Sequence, residues 1–164
     1  MKASDIVDAL KANGVTHVVG LPDNGSRALF ELLWADSNID VIGVTREGEA
    51  FAVASGMYLG GYKPVVIIQN TGFLETGDAF RGTAYNMGLP LVMLMGYRGI
   101  KTMQSGTARV DTAATFFEPT LKAWDIPYSV LDDDNQTRGQ IDEAFALANE
   151  RSLPAAVLLA TETE

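Results

Sequence analysis

Short apolar runs alternate with helical patterns along the chain. Each run is rich in Val, Ile or Leu at consecutive positions, which is typical of strands covered on both faces of a parallel sheet. The apolar runs occupy 15–21, 40–44, 64–70, 91–97, 127–131 and 155–160, and the helical patterns occupy 4–13, 26–35, 47–60, 75–87, 112–124 and 137–150. This alternation predicts an α/β fold, a doubly wound and mainly parallel six-stranded sheet with helices on both faces.

One segment, 99–111, has neither pattern. It is predicted to be a loop over one sheet edge, and long loops of this kind are often functional. Because no internal repeat, low-complexity tract or linker interrupts the rest, residues 1–164 are expected to form a single domain. The opening residues predict an amphipathic helix rather than a signal peptide.

Composition narrows the class of protein. The formal net charge of −9 argues against nucleic acid and anionic membranes as partners, because both need clustered Lys and Arg. No run approaches the ~18 consecutive apolar residues of a membrane span. There is no cysteine and one histidine, His17, to which we assign a structural role, so no metal site is expected in this chain. A cytoplasmic, soluble domain is expected.

Candidate chemistry lies where predicted strands end, because ligands of open α/β sheets bind at the carboxyl ends of the strands. The junctions are 20–26, 45–50, 69–78 and 96–101, and their polar side chains include Asp23, Asn24, Glu47, Gln69, Asn70, Thr71 and Arg98. Taken singly, each residue could instead serve as a turn, a helix cap or a solvated surface group. The glycine-rich nucleotide-binding loops and the nucleophile elbow of hydrolases are missing.

Taken in order, these junctions resemble a known family. The turn Gly20–Asp23 is similar to a G-x-P turn, and Glu47 is followed by Ala50, Ala54 and Gly56 at the family's spacing, with Tyr58 one place late. The stretches "QNTGF" (69–73) and "GLPLVMLMGYRG" (88–99) are similar to Q-N-S-G and to a run ending in G-W-R-G. The chain thus resembles the pyrimidine-binding (PYR) domain of thiamine-diphosphate-dependent 2-oxo acid decarboxylases, of the sulfopyruvate and phosphonopyruvate type.

The resemblance implies a role for each residue. Glu47 would hydrogen-bond N1′ of the cofactor's aminopyrimidine and activate the cofactor, which acts as the electron sink for loss of CO2. Asp23 would relay protons as the second catalytic residue. The other cofactor contacts would be Pro22, Asn70, Thr71, Gly72 and Phe73, and the substrate contacts Asn24, Gln69 and Arg98. Without the resemblance, Glu47 is a first-turn residue favoured by the helix dipole. Glu49 is interpreted as structural or interfacial.

A further domain is implied but not found in this sequence. In the family it holds the diphosphate and Mg²⁺ through G-D-G and a later Asn, and "GDAF" (77–80) lacks the second Gly and that Asn. The resemblance therefore implies a β-type partner subunit that binds Mg²⁺ and the diphosphate. This chain would be the α subunit of a hetero-oligomer with α–α and α–β contacts, and the active site would lie between chains.

The substrate stays open. Arg98 suits a sulfonate, a phosphonate or a carboxylate. However, Phe73-Leu74-Glu75-Thr76 replaces the family's glycine–asparagine stretch, and an aromatic with an added acid near the substrate argues against a dianion. A different 2-oxo acid is one alternative. Others are a carboligase subunit of the acyloin or acetolactate type and a non-catalytic binding domain of the same fold.

Overall fold

A computed structural model describes residues 1–104 and 106–164 as an α/β fold. Its strands are β1 (His17–Gly20), β2 (Asp40–Gly43), β3 (Pro64–Gln69), β4 (Val92–Gly96), β5 (Tyr128–Leu131) and β6 (Ala155–Leu159). Its α-helices are α1 (Ala3–Ala12), α2 (Arg27–Ala35), α3 (Glu47–Leu59), α4 (Asn70–Phe80), α5 (Thr112–Ala123) and α6 (Thr137–Arg151). The predicted alternation of strands and helices is confirmed.

The strands form one six-stranded sheet in the order β2-β1-β3-β4-β6-β5, and all its pairings are parallel. The predicted doubly wound sheet is therefore confirmed. The chain moves outward from β1 to β2 and then returns to place β3 on the other side of β1. Such a reversal opens a crevice between neighbouring strand ends, and in α/β proteins this crevice is where ligands bind.

The helices cover both faces of the sheet and give the protein two apolar layers. On one face α1, α2 and α6 bury residues that include Ile6, Phe30 and Phe145. On the other face α3, α4 and α5 bury an aromatic cluster, in which Phe73 lies 5.3 Å from Phe80 and Phe80 stacks on Trp124 at 5.2 Å between ring centroids. Since the central strands β1, β3, β4 and β6 are covered on both faces, their apolar side chains need no polar alternation.

The largest departure from the predicted elements is the beginning of α4. The helix begins at Asn70, directly after β3, and not at residue 75. Its first turn contains Thr71 and Gly72, which are weak helix formers, so the sequence pattern does not predict a helix there. Tertiary packing supplies the stabilisation instead, because Phe73 is 1% exposed within the aromatic cluster.

Two further segments are irregular. Gly77, with φ 25° and ψ −93°, interrupts α4, and a π-helical turn, Arg81–Tyr85, follows that helix. The segment predicted to be a loop, 99–111, contains a short 3-10 helix at Ile100–Met103. Its other described residues up to the beginning of α5 form neither helix nor strand, and Ser105 lies outside the described residues.

The contact between β1 and β3 gives a test of the fold. A Cβ at Gly20 would lie 2.0 Å from the carbonyl oxygen of Ile67 and 3.2 Å from the ring of Phe30, so the site is already full. We expect Gly20→Ala to lower the free energy of unfolding by about 2 kcal/mol, because overpacking moves the backbone. Denaturant unfolding of the purified chain measures the change.

The matched control is Gly43→Ala. Gly43 pairs with Gly20 across the sheet, but it lies on the edge strand β2, where an added Cβ meets nothing within 4 Å. Its free energy of unfolding should change by no more than about 0.5 kcal/mol. Equal effects of the two substitutions would contradict the proposed close approach of β1 to β3.

Candidate functional site

A cavity of about 610 Å³ opens at the carboxyl ends of β1, β3, β4 and β6. Of the residues predicted to form the site, it is lined by Asp23, Asn24, Gln69 and Arg98. These residues come from three different junctions, and the parallel sheet brings them together because all its strands end at the same edge. The location matches the crevice expected from the strand order.

Asp23 is the most constrained of the polar groups in the cavity. Its Oδ1 accepts a hydrogen bond from the backbone N–H of Ser26 at 2.8 Å and another from the hydroxyl of Ser26. Its Oδ2 accepts from the side-chain amide of Gln69, whose own oxygen accepts from the hydroxyl of Thr71. The Thr71 hydroxyl thereby fixes which end of the Gln69 amide faces Asp23. The carboxylate is held in one orientation by two neighbouring junctions.

Asn70 joins the beginning of α4 to the next junction. Its fully buried side chain donates to the backbone oxygen of Arg98 at 2.9 Å and to that of Ala113 at 3.4 Å. Its Oδ1 accepts from the backbone N–H of Thr71 at 3.0 Å. Asn70 therefore supports the loop after β4 and the beginning of α5 with the polar groups of its side chain.

The loop after β4 brings two cations to the cavity. Arg98 donates from Nε to Asp111 at 3.2 Å, and Asp111 also caps α5 by accepting from the N–H of Ala113 at 3.0 Å. Lys101 lines the same cavity, and among the residues the structure describes its ammonium forms no ion pair. The sequence analysis missed Lys101, because a lysine in a segment without periodicity carries no signal of its position.

Beneath the cavity, a carboxylate joins α5 to two strands. Glu118 accepts hydrogen bonds from the hydroxyls of Tyr97 at 2.9 Å and Tyr128 at 2.6 Å. The hydrogen bond from Tyr128, with a further one from Tyr97, lowers the pKa of Glu118, against the opposing effect of burial. Burial, followed by the hydrogen bond to Glu118, raises the pKa values of both tyrosines. Tyr97 also lines the cavity, so this network supports its floor.

Glu47 lies outside the cavity, at the beginning of α3. Its side chain is half-buried and packs against Gly72 in the first turn of α4. Its carboxylate accepts no hydrogen bond within residues 1–104 and 106–164. Glu49 differs, because its carboxylate accepts from the N–H and hydroxyl of Thr45, each at 2.9 Å, and from the N–H of Arg46 at 3.2 Å. These bonds lower the pKa of Glu49 and cap the helix, in agreement with its structural interpretation.

The remaining residues predicted to form the site differ in how exposed they are. Pro22 is exposed in the turn after β1. The whole of Phe73 is buried, with its ring in the aromatic core. The carboxylate of Glu75 pairs with Arg46. The Phe73 ring is thus withdrawn from the surface of the chain. That Glu75 lies near the substrate stays a prediction, and so does the argument against a dianion.

Within residues 1–104 and 106–164, no group of three or more His, Cys, Asp or Glu side chains could hold a metal ion. No helix in the same residues has the length and apolar character needed to cross a membrane.

The network at Glu118 predicts a pH-dependent stability. Because the pKa of Glu118 lies below its ordinary value of 4.5 in the folded chain, its stabilisation is present above that value and is lost as the pH falls through the lowered one. Glu118→Gln should lower the free energy of unfolding at neutral pH by about 1 kcal/mol, and the difference from wild type should shrink in acid. Denaturant unfolding at a series of pH values measures it.

The control for this series is Glu150→Gln, at an exposed position near the end of α6. It should leave stability unchanged to within about 0.5 kcal/mol at every pH. If the loss of stability caused by Glu118→Gln stays constant from neutral to strongly acidic pH, the ionised carboxylate is not what stabilises the network.

Comparison with known proteins identifies the family. Residues 2–115 match the sequence model described as "Thiamine pyrophosphate enzyme, N-terminal TPP binding domain". The chain is 27% identical to the sulfopyruvate decarboxylase subunit alpha of Methanococcus maripaludis, over 97% of this chain and 95% of that protein. It is 31% identical to the same subunit of Methanocaldococcus jannaschii over 94 residues, which are 57% of this chain and 56% of that protein.

A longer relative aligns as well. The phosphonopyruvate decarboxylase of Streptomyces viridochromogenes is 29% identical over 96% of this chain, but only 40% of that protein is covered. The resemblance derived from the four junctions is thus confirmed. Since the family model matches more than half of the residues, this chain belongs to the thiamine pyrophosphate enzymes and carries their N-terminal TPP-binding domain.

Proposed function

We propose that this chain is the α subunit of a two-chain, thiamine-diphosphate-dependent decarboxylase that acts on a 2-oxo acid of the sulfopyruvate or phosphonopyruvate type. The observation that carries the proposal is the alignment with a protein named as an alpha subunit of sulfopyruvate decarboxylase, which spans nearly the full length of both chains. Residues 1–164 then form one PYR domain.

The site offers a suitable partner for the aminopyrimidine ring of the cofactor. Glu47 is a half-buried carboxylate at the ligand-binding edge of the sheet, and its oxygens accept no hydrogen bond from the described part of the chain. Such a group is costly unless a ligand or a partner satisfies it. When bound, thiamine diphosphate supplies the electron sink for the electrons of the carbon–carbon bond that breaks as CO2 leaves.

In this proposal Glu47 holds the ring by a hydrogen bond to N1′ and thereby activates the aminopyrimidine. Pro22 and Thr71 form the adjoining surface of this chain, and the buried residues Asn70, Gly72 and Phe73 support it from behind. Asp23 faces the substrate in the cavity and relays protons, since its two oxygens are held in place by Ser26 and Gln69. Asn24 and Gln69 line the same cavity and contact the substrate.

A second chain completes the site. The longer phosphonopyruvate decarboxylases extend well beyond the part that this chain matches, and this sequence has no G-D-G motif. We assign the diphosphate and its Mg²⁺ to a β-type subunit that carries this motif. The cofactor then lies between the two subunits of a hetero-oligomer with α–α and α–β contacts. Contact with the β subunit would also remove water from around Glu47, which strengthens its hydrogen bond to the ring.

Two cations offer an anionic substrate a binding point in the cavity, whose lining also carries the acids Asp23 and Glu162. Arg98 and Lys101 both line it, and Lys101 has no carboxylate partner in the chain as the structure describes it. A 2-oxo acid with a second anionic group needs two recognition points, one for the carboxylate and one for the sulfonate or phosphonate. Arg98 and Lys101 are placed to provide one of these points, while the other can come from the β subunit.

Substitution of Glu47 tests the proposed role directly. We expect Glu47→Gln to lower CO2 release by about a hundredfold or more, because glutamine is neutral and cannot exchange a proton with the ring. The assay uses this chain co-expressed with a β-type chain, thiamine diphosphate, Mg²⁺ and a panel of 2-oxo acids. Release of CO2 from one acid identifies the substrate.

Glu49→Gln is the control, because Glu49 lies two positions further along the same helix and its carboxylate serves the helix cap. It should retain most of the activity once corrected for folded enzyme. Full activity of Glu47→Gln would refute the assignment. If the stable two-chain complex forms an acyloin or acetolactate, carboligation is favoured. If the stable complex turns over none of the acids, a non-catalytic binding domain is favoured.

The cationic groups predict a selective effect on KM. Lys101→Met should raise KM for sulfopyruvate about tenfold, with little change in kcat, because a charge-assisted contact to the sulfonate is lost. KM for pyruvate, which lacks the second anionic group, should change much less. Arg138→Met, which removes a cation on α6 that pairs with Asp142, serves as the control. Equal changes in KM for both acids would argue against contact with the sulfonate.

A further inference from the structure

The beginning of α3 is crossed by α4, and three contacts join the two helices. Glu47 packs on Gly72, Arg46 pairs with Glu75, and a Cβ at Gly48 would lie 3.3 Å from the Cβ of Ala79. Gly72 and Glu75 are three residues apart and share one face of α4, while Ala79 follows the interruption at Gly77. That face is therefore fitted to the first turn of α3.

Gly72 is the closest of these contacts. A Cβ built on it would lie 2.1 Å from Cγ of Glu47, 2.3 Å from Cδ and 2.3 Å from Oε1. No side-chain carbon can occupy that space while Glu47 keeps its position. The backbone of Gly72 does not require glycine, because its φ is outside the left-handed region. A Cβ at this position would therefore be accommodated by movement of the flexible Glu47 side chain away from its position.

The other two contacts hold the helices together without engaging the Glu47 carboxylate. The ion pair between Arg46 and Glu75 ties the residue before Glu47 to α4. This explains the acid at position 75, which the sequence alone placed near the substrate. Glu49 meanwhile satisfies the backbone N–H groups at the beginning of α3. Glu47 is thus positioned by shape, and its two oxygens remain available as acceptors.

We propose that Gly72 is a positioning residue for Glu47. The missing side chain lets the first turn of α4 serve as a surface against which the glutamate side chain lies. Its carboxylate is then directed without a protein hydrogen bond that would compete with a ligand. The inference rests on the proposed role of Glu47 in cofactor binding. Its test can refute the positioning by Gly72 while that role stands.

The test introduces Gly72→Ala into the two-chain enzyme. Decarboxylation should fall by about a hundredfold, since displacement of a reacting group by about 1 Å has effects of this size. Binding gives a second readout. Wild type should bind thiamine diphosphate more tightly than the analogue in which carbon replaces N1′, and Gly72→Ala should lose that preference. A change in general stability would weaken binding of both compounds equally.

A compensating substitution makes the test specific to the contact. Glu47→Asp shortens the side chain and makes room for a Cβ at position 72. Glu47→Asp should therefore lower activity by a smaller factor in the Gly72→Ala background than in wild type. We expect the two factors to differ about tenfold. If Gly72→Ala weakens assembly of the complex, the double variant should restore it. The inference would be overturned if the loss of activity in the double variant equals the product of the losses in the two single variants.

Gly56→Ala is the matched control, because Gly56 lies on α3 and an added Cβ there meets nothing within 4 Å. It should leave activity and cofactor preference unchanged. If Gly72→Ala keeps full activity and full preference while Glu47→Gln is inactive, the positioning role is refuted and the proposed function stands. If Glu47→Gln is itself fully active, the proposed function is refuted.

Discussion

The close parallel approach of β1 and β3 is the constraint on which the site depends. Gly20 leaves no space between its backbone and the carbonyl of Ile67, so the two strands end side by side. The chain leaves these two ends in different directions, through the turn that carries Asp23 and through the beginning of α4. The hydrogen bond from Gln69 to Asp23 exists because of this adjacency. A sheet in another strand order would separate these residues and remove the cavity.

Two means of holding a carboxylate operate at this edge of the sheet. Asp23 and Asp111 are held by hydrogen bonds, which fix their orientation. Glu47 is held by packing against a glycine, which fixes its direction and leaves its oxygens unoccupied within the residues described. Hydrogen-bonded carboxylates gain stability for the fold. A carboxylate held only by packing gains little for the fold, which supports the proposed role of Glu47 toward a ligand.

The sequence predicted the fold well because strands buried on both faces have a strong local signal. It also predicted which junctions meet, since Asp23, Asn24, Gln69 and Arg98 follow from strand ends in a parallel sheet. It did not predict the beginning of α4, where Thr71 and Gly72 oppose helix formation and packing of Phe73 outweighs them. It also did not predict the pairing of Glu75 with Arg46 or the place of Lys101 in the cavity, because both depend on the folded arrangement and leave no periodic pattern.

The difference between Glu47 and Glu49 shows how one helix turn can serve two purposes. Side chains that are two residues apart on a helix point to different sides of it. Glu49 turns back to Thr45 and Arg46 and satisfies the backbone groups that the helix leaves unpaired. Because Glu49 meets that need, Glu47 is not required for the cap and can lie against Gly72. Stability of the helix and availability of a carboxylate are therefore assigned to separate residues. The two acids at the start of α3 therefore meet two different needs.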